Sequence, residues 1–354
     1  MPAAMNRIDA RSGESNLKLD SGGAVPASSA DRLASFSSTC PAGTQRIRAL
    51  GMRSAMILLG ALGAAWAGSA AASDGVLEIN QTCAVQTGCF AGDTAGFPVT
   101  ISASGSYRLT SNLVVPNENT DGIQVSTDDV GIDLNNFSIL GPVVCSGTPL
   151  ACVPNAGTGS GVERTSSSLS GISVRNGSIR GMGNFGVSLG LQSEVTNLRI
   201  RSNRVAGINV SNGSIVSGNT AHLNGDYGIV VGAGSIVSGN TAYRNRLAGI
   251  YIDSGSTISG NTAYQNGADG IFVSDASTVS GNTAYLNAGD GIQTSSGATV
   301  WGNTVRVNTG FGLNLGAQSG YRENVISSNT AGTVTGTGIV NLGSNACNGS
   351  TTCP

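Results

Sequence analysis

The sequence has few charged residues, few aromatic residues and almost no lysine. Charged residues make up 11% of the 354 positions and aromatic residues 5%, whereas typical soluble domains carry about 25% charged residues. The one lysine, Lys18, lies near the N-terminus. Strong helix formers are scarce as well. This composition argues against a helical protein, a coiled coil and a basic nucleic-acid binder.

Glycine and asparagine, by contrast, are abundant, with 53 and 31 residues. Hydrophobic residues make up 39% of the chain and the net charge is −2, so the charge-driven route to disorder is absent. Much glycine and asparagine with few charges is typical of many short strands joined by tight turns. The composition therefore favours an all-β protein.

The segment 52–72 has the layout of a secretory signal peptide. A short apolar run follows Arg53 and ends in small residues at Ala72, which is the order found in export signals. A membrane anchor is the alternative, but the run is shorter and less apolar than a spanning helix. Residues 1–51 lack periodicity, and we interpret them as a disordered extension or a start assigned too early. We expect export to the periplasm, the cell surface or the medium.

Six of the seven cysteines form three close pairs. They are Cys83 and Cys89, Cys145 and Cys152, and Cys347 and Cys353. An even number in an exported chain indicates disulfides, and pairing between neighbours is the simplest connectivity. A zinc site is disfavoured by the spacing and by the single histidine, so no metal centre is predicted from them.

A repeat of 21 residues dominates the second half of the chain. A glycine followed by an aliphatic residue recurs at this interval, and so do two series of asparagines. The glycines are Gly186, Gly207, Gly228, Gly249, Gly270, Gly291 and Gly312. The asparagines are Asn203, Asn224, Asn245, Asn266, Asn287, Asn308 and Asn329, and Asn219, Asn240, Asn261, Asn282, Asn303 and Asn324. A unit of this length is too short for two packed helices and fits three short strands separated by turns.

Four positions of the unit are aliphatic or alanine in successive copies. The columns are Ile229, Ile250, Ile271 and Ile292; Val231, Ile252 and Val273; Val216, Val237, Ile258, Val279 and Val300; and Ala221, Ala242, Ala263 and Ala284. Because side chains alternate along a strand, these columns predict the core. Stacking the units in parallel at about 4.8 Å turns each column into a ladder. The asparagine amides would then bond along the stack at turns, and the glycines would permit positive φ or close approach.

The unit, with its Gly-Ile-x-Val and Ser-Gly-Asn-Thr-Ala-Tyr segments, resembles exported bacterial β-helix repeat proteins of the pectate-lyase-like superfold. The resemblance covers roughly residues 122–342. It implies an all-β, single-stranded, right-handed parallel β-helix with 21-residue coils, capped at both ends. We assign 73–121 to an N-terminal cap, 122–341 to the solenoid with a loop insertion at 142–168, and 342–354 to a disulfide-stapled end. The superfold hosts lyases, hydrolases, epimerases, adhesins and non-enzymes, so it leaves the activity open.

Two outward columns of aromatic residues are candidate carbohydrate-binding surfaces. Tyr243, Tyr264 and Tyr285 each follow an inward alanine, and Tyr251 and Phe272 lie on the strand that begins with Gly-Ile. Exposed rings at coil spacing are suited to sugar rings lying along the axis. The alternative is that the stacked rings only stabilise neighbouring coils, by about 0.2–1 kcal/mol per pair.

Acidic residues flank the second aromatic column. Asp269 and Asp290 occupy equivalent positions on adjacent coils, and Asp253 and Asp275 follow the strand. Stacked carboxylates repel, so such a pair tends to share a proton or hold a cation. Asp269 and Asp290 are therefore the candidate catalytic residues of a lyase or hydrolase, Ca²⁺ is the candidate cofactor, and Asp253 is a candidate carbohydrate ligand. The alternative is that all four are solvated turn residues.

The motifs of several specific activities of the superfold are missing. The Gly-His-Gly and Arg-Ile-Lys elements of polygalacturonases and the Asp-Pro-His element of mannuronan epimerases do not occur. His222 precedes the tyrosine column and is interpreted as a variant of that position. An arginine-based lyase stays open, with Arg244, Arg246 or Arg306 as its base.

After Ala72, eleven arginines oppose sixteen acidic residues, a net charge of −5. An acidic chain without lysine is a poor partner for nucleic acid or for an anionic membrane. A neutral or cation-bridged polysaccharide or cell-surface glycan is the favoured ligand, and the protein is expected to be a monomer. Three functions are consistent with the sequence: a polysaccharide-binding protein without catalysis, a polysaccharide lyase or glycoside hydrolase, and a structural or adhesive surface protein.

Overall fold

The computed structural model describes residues 75–353, which form a parallel β-solenoid of about 12 turns. The predicted all-β architecture with 21-residue coils is confirmed, because residues 21 positions apart pair with each other through the regular part of the stack. The predicted signal peptide and the extension before it lie outside the described residues.

The N-terminal part of the solenoid is less regular than the rest and contains the one helix of the described residues. Its elements are β1 Val76–Ile79, α1 Gln81–Gln86, β2 Val99–Ile101, β3 Gly105–Leu109, β4 Leu113–Val114, β5 Ile123–Val125, β6 Val130–Asp133, β7 Ser138–Leu140, β8 Val144–Ser146, β9 Ala151–Val153, β10 Val162–Arg164, β11 Ser173–Arg180, β12 Val187–Leu189 and β13 Glu194–Arg201.

The middle of the solenoid consists of five coils with three short strands each. They are β14 Ile208–Val210, β15 Ile215–Ser217, β16 Thr220–His222, β17 Ile229–Val231, β18 Ile236–Ser238, β19 Thr241–Tyr243, β20 Ile250–Ile252, β21 Thr257–Ser259, β22 Thr262–Tyr264, β23 Ile271–Val273, β24 Thr278–Ser280, β25 Thr283–Tyr285, β26 Ile292–Thr294, β27 Thr299–Trp301 and β28 Thr304–Arg306. The last strands are β29 Phe311–Leu315, β30 Gly320–Arg322, β31 Val325–Ser327, β32 Gly332–Thr335, β33 Val340–Gly343 and β34 Ala346–Cys347.

The strands form two large parallel sheets. The front sheet has eleven strands in the order β2-β5-β10-β12-β14-β17-β20-β23-β26-β29-β32. The second sheet has 21 strands and divides into two ladders, one formed by β15 and its equivalents and the other by β16 and its equivalents. The two ladders are joined through the long strands β11 and β13. Each coil therefore has three sides around one core.

Parallel pairing begins upstream of the boundary that the sequence placed at residue 122. β2 already pairs with β5, and β1 pairs with β3. The partners Val99 and Ile123 are 24 positions apart, and Ile123 and Val162 are 39 apart, so a search for a 21-residue period misses these coils. At the other end, β33 and β34 still pair with β30 and β31, so the ladder also continues past residue 342.

The insertion predicted at 142–168 is shorter than expected. It contains an antiparallel hairpin of β8 and β9, in which Cys145 lies directly opposite Cys152. The chain is back in the front sheet at Val162, where β10 pairs with β5 and β12. The reason is local sequence: Val162 supplies the inward aliphatic side chain that the front sheet requires, although it stands outside the 21-residue period.

The predicted inward columns form the core. All four sets of aliphatic and alanine residues, represented by Ile250, Ile252, Ile258 and Ala263, are fully buried or nearly so. The three predicted cysteine pairs are disulfides: Cys83–Cys89, Cys145–Cys152 and Cys347–Cys353. Near the first pair, Ala84 of α1 is buried in the core, and Phe90 packs on Tyr107 with ring centroids 5.1 Å apart.

The asparagine columns lie inside the turns and bond along the stack, as predicted. Asn261 is buried, and its Nδ2 donates to Val237 O at 2.9 Å and to Asn282 Oδ1 at 3.0 Å. Its Oδ1 accepts from the backbone N and the Nδ2 of Asn240. Each amide therefore forms hydrogen bonds with backbone groups that have no strand partner in the turn. Buried polar groups require such hydrogen-bond partners.

Two sets of glycines, those of the Gly-Ile segment and those of the Ser-Gly-Asn segment, serve the two purposes expected of glycine. Gly260, in the turn before Asn261, has a φ of +64°, a conformation that favours glycine. Gly249, before the front-sheet strand, has ordinary φ but no room for a side chain. A Cβ there would lie 2.6 Å from Asn266 Nδ2 and 2.8 Å from Gly270 O. The Gly-Ile glycines are thus explained by the close approach of adjacent coils.

We predict that Asn261→Ala lowers the free energy of unfolding by about 2–4 kcal/mol, because it leaves several buried groups of the neighbouring coils without hydrogen bonds. Guanidinium chloride unfolding followed by circular dichroism measures the change. Ser259→Ala, on the outward side of the same coil, is the matched control and should change stability by less than about 0.5 kcal/mol. Equal stability of the two variants would contradict a structural role of the ladder.

Candidate functional site

The outward tyrosine column is a continuous stack. Tyr243, Tyr264 and Tyr285 end β19, β22 and β25, and their ring centroids lie 4.8 and 5.0 Å apart with interplanar angles of 5°. His222 extends the stack at 4.6 Å from Tyr243, and the Arg306 guanidinium lies 5.5 Å from the Tyr285 ring. The parallel register places each ring on the equivalent ring of the next coil.

This stacking decides which parts of the rings can meet a ligand. Both faces of Tyr264 are covered by Tyr243 and Tyr285, so the ring presents its edge and its hydroxyl to the surface. Burial, together with the two neighbouring tyrosines, raises the pKa of Tyr264, so its hydroxyl stays a neutral donor and acceptor. The column therefore offers a row of hydroxyls rather than open ring faces.

His222 behaves as a member of this stack. Burial and the nearby charges of Arg201 and Arg244 lower its pKa, so the imidazole is neutral at ordinary pH. Its Nδ1 is buried without a hydrogen-bond partner. A neutral, stacked ring fits its interpretation as a variant of the tyrosine position.

The second predicted aromatic column lies on the front sheet. Tyr251 and Phe272 stack with centroids 5.0 Å apart and an interplanar angle of 3°, and Tyr227 tilts against Tyr251 at 5.5 Å. The column continues into Gln293 and Asn314 through the same register. The surface is half-buried and changes along the axis from aromatic to amide.

Asp269 and Asp290 lie on adjacent coils, as predicted, but their carboxylates bind the backbone. Asp269 Oδ1 accepts from the backbone N of Asp290 at 2.7 Å, and Asp290 Oδ1 accepts from the backbone N of Phe311 at 2.6 Å. Asn314 Nδ2 donates to the second oxygen of Asp290 at 2.8 Å. Burial raises the pKa of Asp269, and the negative charge of Asp290 raises it further. The hydrogen bond from the backbone N of Asp290 lowers this pKa and offsets part of the effect. These contacts favour the turn role over the catalytic one.

The other two predicted acidic residues also make turn contacts. Asp253 Oδ1 accepts from the backbone N of Ser254 at 2.7 Å and from its hydroxyl at 3.2 Å. Asp275 Oδ1 accepts from the backbone N of Ser296, one coil further on, at 2.8 Å. The role of Asp253 in carbohydrate binding stays a prediction.

A pair of carboxyls that the sequence did not single out lies near the insertion. Glu163 is on the outward side of β10, and burial raises its pKa, while bonds from the Ser160 and Ser188 hydroxyls lower it. Asp121 raises the Glu163 pKa further, and Arg164 lowers it. The 21-residue period could not reveal these residues, because β5 and β10 are separated by 39 positions. Within residues 75–353, no group of three or more His, Cys, Asp or Glu side chains could hold a metal.

A groove of about 610 Å³ follows the turns between the tyrosine column and the front sheet. One row of its lining is Leu223, Arg244, Gln265, Leu286 and Val307; the other is Arg246, Gly267, Ala288 and Thr309. The buried asparagines Asn245, Asn266 and Asn287 lie between the rows, and residues 147–150 of the hairpin loop lie at one end. The sequence flagged the two arginines only as candidate lyase bases, and it gave no sign that the hairpin would lie beside them.

Comparison with known proteins places the chain in a family. The family described as "Right handed beta helix region" matches residues 99–256, 160–309 and 236–351. Since these matches together span more than half of the sequence, the chain belongs to this family, and the predicted right-handed parallel β-helix is confirmed. No curated protein matches the chain significantly.

Solved structures show the same fold at low sequence identity. The periplasmic alginate epimerase AlgG is 16% identical, with 76% of this chain and 72% of that chain covered and a TM-score of 0.51. The A-module of the mannuronan C-5 epimerase AlgE4 from Azotobacter vinelandii is 16% identical, covering 66% and 72%, with a TM-score of 0.48. The Dettilon tailspike protein gp208 is 17% identical, covering 77% and 61%, with a TM-score of 0.43. At this identity the likeness concerns the fold alone.

Among the residues that the structure describes, no helix is long and apolar enough to cross a bilayer.

We predict that Asp269→Asn raises the thermal midpoint at pH 7. The amide oxygen can still accept from the backbone N of Asp290, and the variant loses the charge that burial and Asp290 disfavour. A raised folded-state pKa means that ionisation costs stability above the ordinary carboxyl pKa. The difference from the wild type should therefore close as the pH falls below 4, as scanning calorimetry at several pH values can show. A variant that is less stable than the wild type at pH 7 but equal at low pH would contradict this account.

Proposed function

We propose that this protein is an exported polysaccharide-binding β-helix that holds a glycan along the solenoid axis without catalysing its cleavage. The observation that carries the proposal is the tyrosine column. Tyr243, Tyr264 and Tyr285 present edges and hydroxyls at intervals of 4.8 and 5.0 Å, beside a groove that runs in the same direction. A regular row of hydroxyls suits a polymer with regularly spaced hydroxyls of its own.

The front-sheet column supplies a second surface for the same ligand class. Tyr251 and Phe272 provide apolar area, and Gln293 and Asn314 continue the row with amide groups. Asp253 is proposed as a hydrogen-bond acceptor at the edge of this surface. Sites with apolar area and a few placed polar groups are typical of saccharide and other small-ligand binding.

Two observations support export and a glycan partner. Three disulfides lie within the described residues, and disulfides persist mainly in oxidising compartments outside the cytoplasm. Together with the predicted signal peptide, they favour the periplasm, the cell surface or the medium. AlgG, which shares the fold, is by its name an epimerase of alginate, a polysaccharide. Fold likeness is an analogy and does not carry its chemistry to this chain.

The alternative is a polysaccharide lyase or glycoside hydrolase that uses Asp269 and Asp290, with or without Ca²⁺. Three backbone or amide bonds already occupy oxygens of these two carboxylates. This engagement favours binding without catalysis. A structural or adhesive surface protein is the third candidate, and it predicts no affinity for a soluble glycan.

The test is retention of the purified protein on a panel of neutral and uronic-acid polysaccharides, with and without calcium. We predict that Tyr264→Ala weakens binding about tenfold, equivalent to 1.4 kcal/mol. Tyr264→Phe keeps the stack and loses the hydroxyl, so a smaller loss is expected. Trp301→Ala removes a half-exposed aromatic ring outside both columns and is the control that should bind normally.

The same incubations are assayed for unsaturated products and new reducing ends. Turnover that disappears in Asp269→Asn and Asp290→Asn would replace the binding proposal with the enzyme. Absence of both retention and turnover on every glycan would overturn both and leave the structural or adhesive protein.

A further inference from the structure

The groove beside the tyrosine column is open because of small side chains. Gly267 and Ala288 stand in one of its rows, where Arg246 stands on the preceding coil. The outer row starts with Leu223 and ends with Val307, one residue from each of five successive coils. At about 4.8 Å per coil, this row is ~19 Å long. The groove can therefore hold an extended segment of a linear chain.

The hairpin of β8 and β9 is fixed against one end of this groove. Gly225 lies beneath it, and a Cβ at Gly225 would lie 2.8 Å from Cys152 Sγ. Arg204 ties the returning chain to the solenoid, because its Nη2 donates to Gly157 O at 3.1 Å and its Nε donates to Gly183 O at 2.6 Å. The Cys145–Cys152 disulfide holds the two strands of the hairpin together. One end of the groove is therefore formed by a hairpin that a disulfide and the Arg204 hydrogen bonds hold in place.

The charge of the groove differs from that of the whole chain. Arg244 Nε donates to Gln265 Oε1 at 3.1 Å, and the described residues offer it no ion pair. Arg246 pairs with Asp226 at 3.4 Å, but its side chain is 57% exposed. Two guanidiniums therefore face one carboxylate here, although acidic residues outnumber arginines after Ala72.

We infer that this groove binds the acidic groups of a linear carboxylate-bearing glycan, with Arg244 and Arg246 as the anion-binding residues. The inference rests on the proposed function and specifies its ligand class. The planar guanidinium matches a carboxylate with two parallel hydrogen bonds. Arg244 and Gln265 directly follow Tyr243 and Tyr264, so a chain whose acidic groups lie in the groove brings its hydroxyls to the tyrosine row.

Titration calorimetry of the full chain with oligogalacturonate, dextran sulfate and neutral dextran tests the inference. We expect oligogalacturonate to bind and its affinity to fall as salt is added, because exposed charges are screened. Arg246→Gln and Arg244→Gln should each weaken it about tenfold. Arg175→Gln is the matched control, since Arg175 is also 57% exposed and paired with an aspartate, Asp133, away from the groove. This variant should bind like the wild type.

A second variant tests the groove without touching an arginine. Leu286→Asp places a negative charge in an exposed position of the same row, where φ is +57° and aspartate is tolerated better than leucine. It should weaken oligogalacturonate binding and leave the fold, checked by circular dichroism, unchanged.

The outcomes separate this inference from the proposed function. Binding of dextran sulfate alone, lost in the arginine variants, would overturn the assignment to carboxylates. Binding of neutral dextran that is lost in Tyr264→Ala but kept in both arginine variants would overturn the inference and leave the proposed function standing. No binding of any of the three glycans would count against both.

Discussion

The buried asparagine ladder is the interaction on which this solenoid depends. A turn in a stacked coil leaves backbone groups without ladder partners, and a buried group without a partner is costly. In each regular coil two side-chain amides, such as those of Asn261 and Asn266, form hydrogen bonds with the coil on either side. These bonds fix the register between coils, and the strands before and after each turn pair in the same register.

A fixed register has consequences for the surface as well as for the core. Every position of the repeat meets its own equivalent one coil away, so inward aliphatic columns become core and outward columns become rows. Because of this register, the stacked tyrosines of adjacent coils cover each other's faces. For the same reason, the carboxylates of Asp269 and Asp290 accept hydrogen bonds from backbone N–H groups of the next coil. Rows of edges, hydroxyls and amides are what remain for a ligand, and this favours binding to a polymer over chemistry at one point.

The segments that depart from the 21-residue repeat give the solenoid features that differ from one coil to the next. The hairpin between β7 and β10 leaves the stack, is closed by Cys145–Cys152 and lies at one end of the arginine-containing groove. Glu163, with its raised pKa, also lies where the spacing between coils is irregular. A strictly periodic solenoid would present the same surface at every coil, whereas these features distinguish one end of the surface from the other.

The sequence by itself determined the parallel stack, its 21-residue coils, the core columns, the asparagine ladders and the cysteine pairs, because each follows from a period or from close spacing along the chain. The roles of Asp269 and Asp290 needed the structure, since the backbone N–H groups that they bind belong to the next coil. The extra coils around β2, the position of Glu163 and the groove that the hairpin closes at one end were decided only by tertiary structure. The groove, for example, brings together Leu150 and Arg246, which no periodicity connects, because the hairpin packs on the turns of a distant part of the chain.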